Sequence, residues 1–165
     1  MKEKDKLKKI SYHLWYEFEM FLALAEKLVK GYPKGTINNA LIESFGIHVR
    51  NLIDFLYVEN PRSDNVCASD FFPCKEDWFK LRPQLTPLLE KAKKRANKEL
   101  SHLTYTRINV TPEEKKWDFI KVYQDMSCVF DFFIENVDKG LLNSDWDNFL
   151  QIRKNYKRRL TKRST

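Results

Sequence analysis

The sequence predicts an all-α fold, a single-domain up-and-down bundle of about five helices, and three observations lead to that class. Apolar residues recur every three or four positions along most of the chain, the spacing that lays one face of an α-helix against a core. Gly and Pro number only four and six in 165 residues, so turn-forming positions are few. Aromatic residues make up 14% of the chain, and a domain of this size buries roughly 70% of its unfolded surface around one core.

The first helix is predicted from about Lys4 to Lys30, because Leu7, Ile10, Leu14, Phe18, Phe21, Ala25 and Leu28 step by three or four; Gly31 and Pro33 then end it. The second, about Thr36 to Tyr57, carries a stripe of Ile37, Leu41, Phe45, His48, Leu52 and Phe55, with more apolar residues on its other sides. That pattern makes it the central helix. Glu59 to Pro83 is too long for an ordinary connection in a bundle, yet Phe71, Phe72, Trp78 and Phe79 make it too apolar for disorder. It reads as a long ordered loop between helices 2 and 3, serving either to plug the core or to cover a pocket. The third helix begins near Pro83 or Pro87 and continues through Leu88, Leu89, Ala92, Ala96, Leu100 and Leu103. The fourth is expected to start at Thr111, with Pro112 in the first helical position and Glu114 closing a capping box. Its stripe is Phe119, Val122, Met126, Val129, Phe133 and Val137; after Gly140, Ser144 caps a fifth helix bearing Trp146, Phe149, Leu150 and Tyr156.

The formal charge of +7 resides entirely in the C-terminal segment: Arg153, Lys154, Lys157, Arg158, Arg159, Lys162 and Arg163 follow Asn148 without an acidic residue. Residues 1–147 therefore form the bundle core, and 148–165 a basic helix end and tail of the same domain. On a helix Arg153, Lys154, Lys157 and Arg158 share one side, a stripe suited to phosphate or to an acidic partner, or to solvent at a helix C-terminus. The basic start MKEKDKLKKI leads into an amphipathic run, so no signal peptide is expected, and no stretch reaches the ~18 apolar residues of a spanning helix. Cys67, Cys74 and Cys128 form no C-x-x-C pair, which fits reduced thiols in a cytoplasmic protein. No metal or cofactor is expected. Glu99-Leu100-Ser101-His102 is a single Glu-x-x-His, whereas di-iron bundles need two with two further glutamates, and phosphate loops, nucleophile elbows and H-E-x-x-H are absent.

The segment KRANKELSHLTYTR, Lys94 to Arg107, concentrates the remaining chemistry. At helical spacing it places Arg95, Glu99 and His102 on one face, exposed or interfacial, with Lys94, Asn97 and Lys98 alongside. Arg95 and His102, with six residues between them, resemble the R-x(4–6)-H motif of the HEPN superfamily of small helical domains, although Ala96 stands where that motif has a polar residue. The segments HVRNLIDFLY, SDNVCASDFF and NKELSHLTYTR are also similar to those of uncharacterised bacterial helical proteins. The HEPN resemblance implies a metal-independent ribonuclease acting as a homodimer, with His102 transferring protons and Arg95 clamping phosphate; Glu99, on the same helix face, is the third catalytic candidate. Lys94, Asn97, Lys98 and the tail stripe would then approach RNA, whose binding would weaken with salt. The other class compatible with these residues is a non-catalytic helical module that meets a protein partner or a second copy.

Overall fold

The computed structural model describes residues 3–31, 34–100, 105–111, 113–149, 151, 153 and 156. It is an all-α bundle, with no strand among the described residues. Helix α1 spans Glu3–Lys30, α2 Thr36–Tyr57, α3 Lys75–Leu81, α4 Pro87–Arg95 and α5 Phe119–Asn136. A further helical segment, α6, begins at residues 145–149. Helix α1 packs on α2 and α5, while α4 lies against both α2 and α5. Gly31 and Gly35 take φ of 82° and 137° in the α1–α2 connection, a backbone region that glycine enters without the Cβ clash of other residues.

The predicted stripes meet in the middle. Phe18, Phe21, Phe45, Leu52, Leu56, Phe130 and Phe133 are fully buried, and the Phe18 and Phe130 rings stack with centroids 3.6 Å apart. The stretch between α2 and α4, which includes the short α3, is the ordered plug. Phe71 and Trp78 are both 1% exposed, and the Trp78 indole donates to the Leu56 carbonyl at 2.8 Å. That bond satisfies both a buried N–H and a carbonyl in the last turn of α2, so the aromatic surface is buried without leaving a polar group unpaired. Among the described residues, no helix is long and apolar enough to cross a membrane.

The structure differs from the predicted elements in three places. The third helix does not run on unbroken: it is α-helical to Arg95 and then widens into a π turn, Ala96–Leu100. Leu103 lies outside the described residues. The Thr111 and Glu114 box is present, with Thr111 N–H donating to Glu114 Oε2 at 2.9 Å and Glu114 N–H to Thr111 Oγ1 at 3.3 Å, but it closes a turn and not a helix. Helix α5 starts later, capped by Asp118, whose carboxylate accepts the Lys121 N–H at 3.1 Å. Finally, the core does not stop at residue 147. Phe149 is fully buried, and Trp146 Nε1 donates to the Ser11 carbonyl at 3.1 Å, tying α6 to α1.

Candidate functional site

Arg95 is positioned by the last turn of α4, a helix that starts on Thr86, whose hydroxyl accepts the Leu89 N–H, with Pro87 in the first position. Because the backbone widens into a π turn immediately after Arg95, the next turn is displaced from α-helical register; such turns are frequent at functional sites. Leu100, at the end of that turn, seats against Gly46 of α2, where any Cβ would collide with it.

The side chain of Arg95 turns inward, and the residue is only 9% exposed, a correction to its expected exposed or interfacial placement. Its Nε donates to both Glu99 oxygens at 3.2 and 3.3 Å. Nη1 donates to the Lys116 carbonyl at 3.0 Å and Nη2 to the Lys115 carbonyl at 2.9 Å. The guanidinium carbon lies 4.4 Å from the centroid of the Trp117 ring, within cation–π range. The physical reason for the burial is complementarity. A planar fork with a delocalised charge satisfies two carbonyls and a carboxylate while its face covers an indole. Those carbonyls can accept from Arg95 because the chain at Lys115 and Lys116 is not helical, which also accounts for the late start of α5.

Beside Arg95 and Glu99 lies a cleft of about 290 Å3, lined also by Asn39, Glu43, Lys115 and Trp117. The structure thus unites Arg95 and Glu99, while His102 lies outside the described residues. Lys94 is exposed and pairs with Glu90 one turn back at 2.8 Å. Lys98 is exposed and Asn97 half-buried on the π turn. Arg153, expected on a solvent-facing basic stripe, is instead turned inward to pair with Asp131 and covers the Phe18 ring at 5.8 Å. Lys154, Lys157 and Arg158 lie outside the described residues. Among the described residues, no three His, Cys, Asp or Glu side chains converge to hold a metal ion.

Sequence reasoning missed a second polar constellation, between α1 and α2. Glu17 Oε2 accepts from Asn51 Nδ2 at 3.1 Å and lies 2.7 Å from His48 Nδ1. Burial alone would raise the Glu17 carboxyl, but the hydrogen bonds from His48 and Asn51 and the nearby His48 and His13 rings outweigh it, so the carboxyl sits below its ordinary value. His48 is thereby a bonded histidine on an apolar stripe, 8% exposed. The available signal was two polar residues, Glu17 and His48, standing within the apolar stripes of neighbouring helices. Cys67 is buried, and burial pushes its thiol up to about 11, which makes it a poor nucleophile. No family model, curated protein or solved structure matches the chain.

Proposed function

We propose that this chain is a HEPN-like helical domain that works by association, as a non-catalytic interaction module, and does not cleave RNA. The observation that supports this reading is the engagement of Arg95: three donor atoms are bonded to Glu99 and to the Lys115 and Lys116 carbonyls, and the face lies over Trp117. A phosphate clamp needs those donors directed at substrate oxygens; to serve there, Arg95 would have to abandon bonds that fold the chain.

The partner most compatible with the surface is a second copy of the chain. Ile37, Tyr105 and Ile108 are 64%, 91% and 80% exposed and lie within a few residues of Asn39 and Val110, which line the Arg95 cleft. Glu43 and Lys115 flank the same cleft and are both exposed, so a two-fold axis there would set Glu43 of one copy against Lys115 of the other. Light scattering after gel filtration should then give a dimer that Ile108→Asp converts to monomer; monomeric wild type at micromolar concentration would count against association with itself.

The second reading, metal-independent RNA cleavage at a composite dimer site, is supported by the Arg95 to His102 spacing and by the cleft beside Arg95. The discriminating experiment incubates a mixed-sequence RNA with the protein in EDTA. The interaction module leaves the RNA intact in wild type and His102→Ala alike. Cleavage by wild type that a folded His102→Ala variant loses would establish the ribonuclease instead.

A further inference from the structure

We propose that the cavity between α1, α2 and the 59–66 loop is a binding site for a mononucleotide unit bearing an amino-substituted base. The inference does not depend on the Arg95 cleft and holds whether or not the chain associates with itself.

The cavity measures about 240 Å3, and its walls include the buried Leu14, Leu52, Phe55 and Phe71. A flat ring fits such a space, and its apolar surroundings favour a planar unsaturated body. Three polar side chains, His13, Glu17 and Asn51, line it as well. Their bonding sets what they can recognise. Both bonds that hold the Glu17 carboxylate fall on Oε2, whereas a carboxylate has acceptor sites on both oxygens. Asn51 uses Nδ2 toward Glu17, which leaves its Oδ1 as a further acceptor and its second amide N–H as a donor. Two acceptors and one donor, fixed by His48 from behind, match the edge of an amino-substituted base, which presents N–H donors next to a ring-nitrogen acceptor. Carboxylates accept from the amino group of cytosine, and Asn amides pair with the amino edge of adenine.

The anionic part has a place next door. Ile10, His13 and Val66 line both this cavity and a wider basin of about 800 Å3. In that basin Lys6 and Lys75 are paired with Glu3 and Asp70, and Glu59 pairs with Arg82 outside it. Lys9, Arg62 and Asp64 also line the basin; two cations against one carboxylate leave it a net positive charge, and Lys9 and Arg62 supply the donors for a phosphate carried by the base in the inner cavity. A base inside and a phosphate outside therefore describe one ligand spanning two adjoining spaces.

The test is titration calorimetry on the full chain with AMP, CMP, UMP and inorganic phosphate. AMP and CMP should bind, UMP, which lacks the amino group, about tenfold more weakly, a difference near 1.4 kcal/mol, and inorganic phosphate alone should give no saturable heat. The exposed substitutions Asn51→Ala and Arg62→Ala should each weaken AMP by a similar factor while unfolding temperatures stay within a few degrees of wild type. The dinucleotide ApU separates two sources of this chemistry. Binding tighter than AMP assigns the site to an RNA end, weaker binding to the free nucleotide, and both support it. Equal affinity for AMP and UMP, absence of binding by AMP and CMP, or AMP binding untouched by both substitutions would overturn the proposal.

Discussion

Arg82 and Arg95 are held in nearly the same way, and the comparison shows what an arginine does in this fold. Arg82 Nη1 donates to the carbonyls of Leu56 and Tyr57 at 3.3 and 3.0 Å, Nη2 meets Glu59 at 2.5 Å, and the guanidinium lies 5.3 and 5.0 Å from the Tyr57 and Phe79 rings. Arg95 likewise combines two carbonyls, one carboxylate and one aromatic face. The carbonyls under Arg82 end α2, whose own last turn carries no basic residue, so Arg82 closes a helix terminus from outside. Those under Arg95 belong to the non-helical run that precedes α5. One residue sits in no motif and the other in a catalytic-looking one, yet both are clasps that fasten a chain reversal to the bundle. The difference lies in the carboxylates: the side chain of Glu99 is 20% exposed and that of Glu59 61%.

That difference orders the outcomes expected from substitution. Arg95→Ala should have the largest effect, about 3 kcal/mol of lost stability in denaturant titration, because it leaves Glu99 partly buried beside two unpaired carbonyls. Arg82→Ala should cost less, about 2 kcal/mol, since Glu59 remains solvated when its partner is removed. Equal costs would show that carboxylate burial does not govern the clasps.

Acid sharpens the contrast in another way, because guanidinium groups stay charged throughout. Glu17 has a folded-state carboxyl below the usual 4.5. Its bonds therefore contribute fully above that value, and the contribution fades as the pH falls below it and the folded carboxyl takes up a proton. Unfolding temperatures measured from pH 6 to pH 3 should drop in wild type and drop less steeply in Glu17→Gln. The smallest effect belongs to Lys94→Ala, within about 0.5 kcal/mol of wild type, since its pair with Glu90 lies on the surface.

Much of the fold could be read from the order of residues because it depends on local periodicity. The stripe from Leu7 to Leu28 and that from Ile37 to Phe55 announce helices that need a common core, although Ile37 at the start of the second is exposed, and Phe71 and Trp78 announce a plug. The misread boundaries share another cause. Thr111 and Glu114 do form their box, but no helix follows it, and the Lys115 and Lys116 carbonyls are satisfied instead by Arg95, some twenty residues away. The same holds for the candidate sites. Arg95 and Glu99 are one turn apart and their pairing was legible, whereas Trp117 over the guanidinium was not. Glu17, His48 and Asn51 come together only when α1 docks on α2, so the sequence could mark Glu17 and His48 as polar residues among apolar ones but not their meeting with Asn51.

The central claim is that Arg95 is a structural clasp, and Arg95→Lys tests it most directly. An ammonium keeps the charge but cannot span two carbonyls and a carboxylate while covering an indole. Guanidinium chloride titration should show Arg95→Lys less stable than wild type by about 2 kcal/mol. A variant as stable as wild type that nevertheless loses an RNA-directed activity would contradict the account.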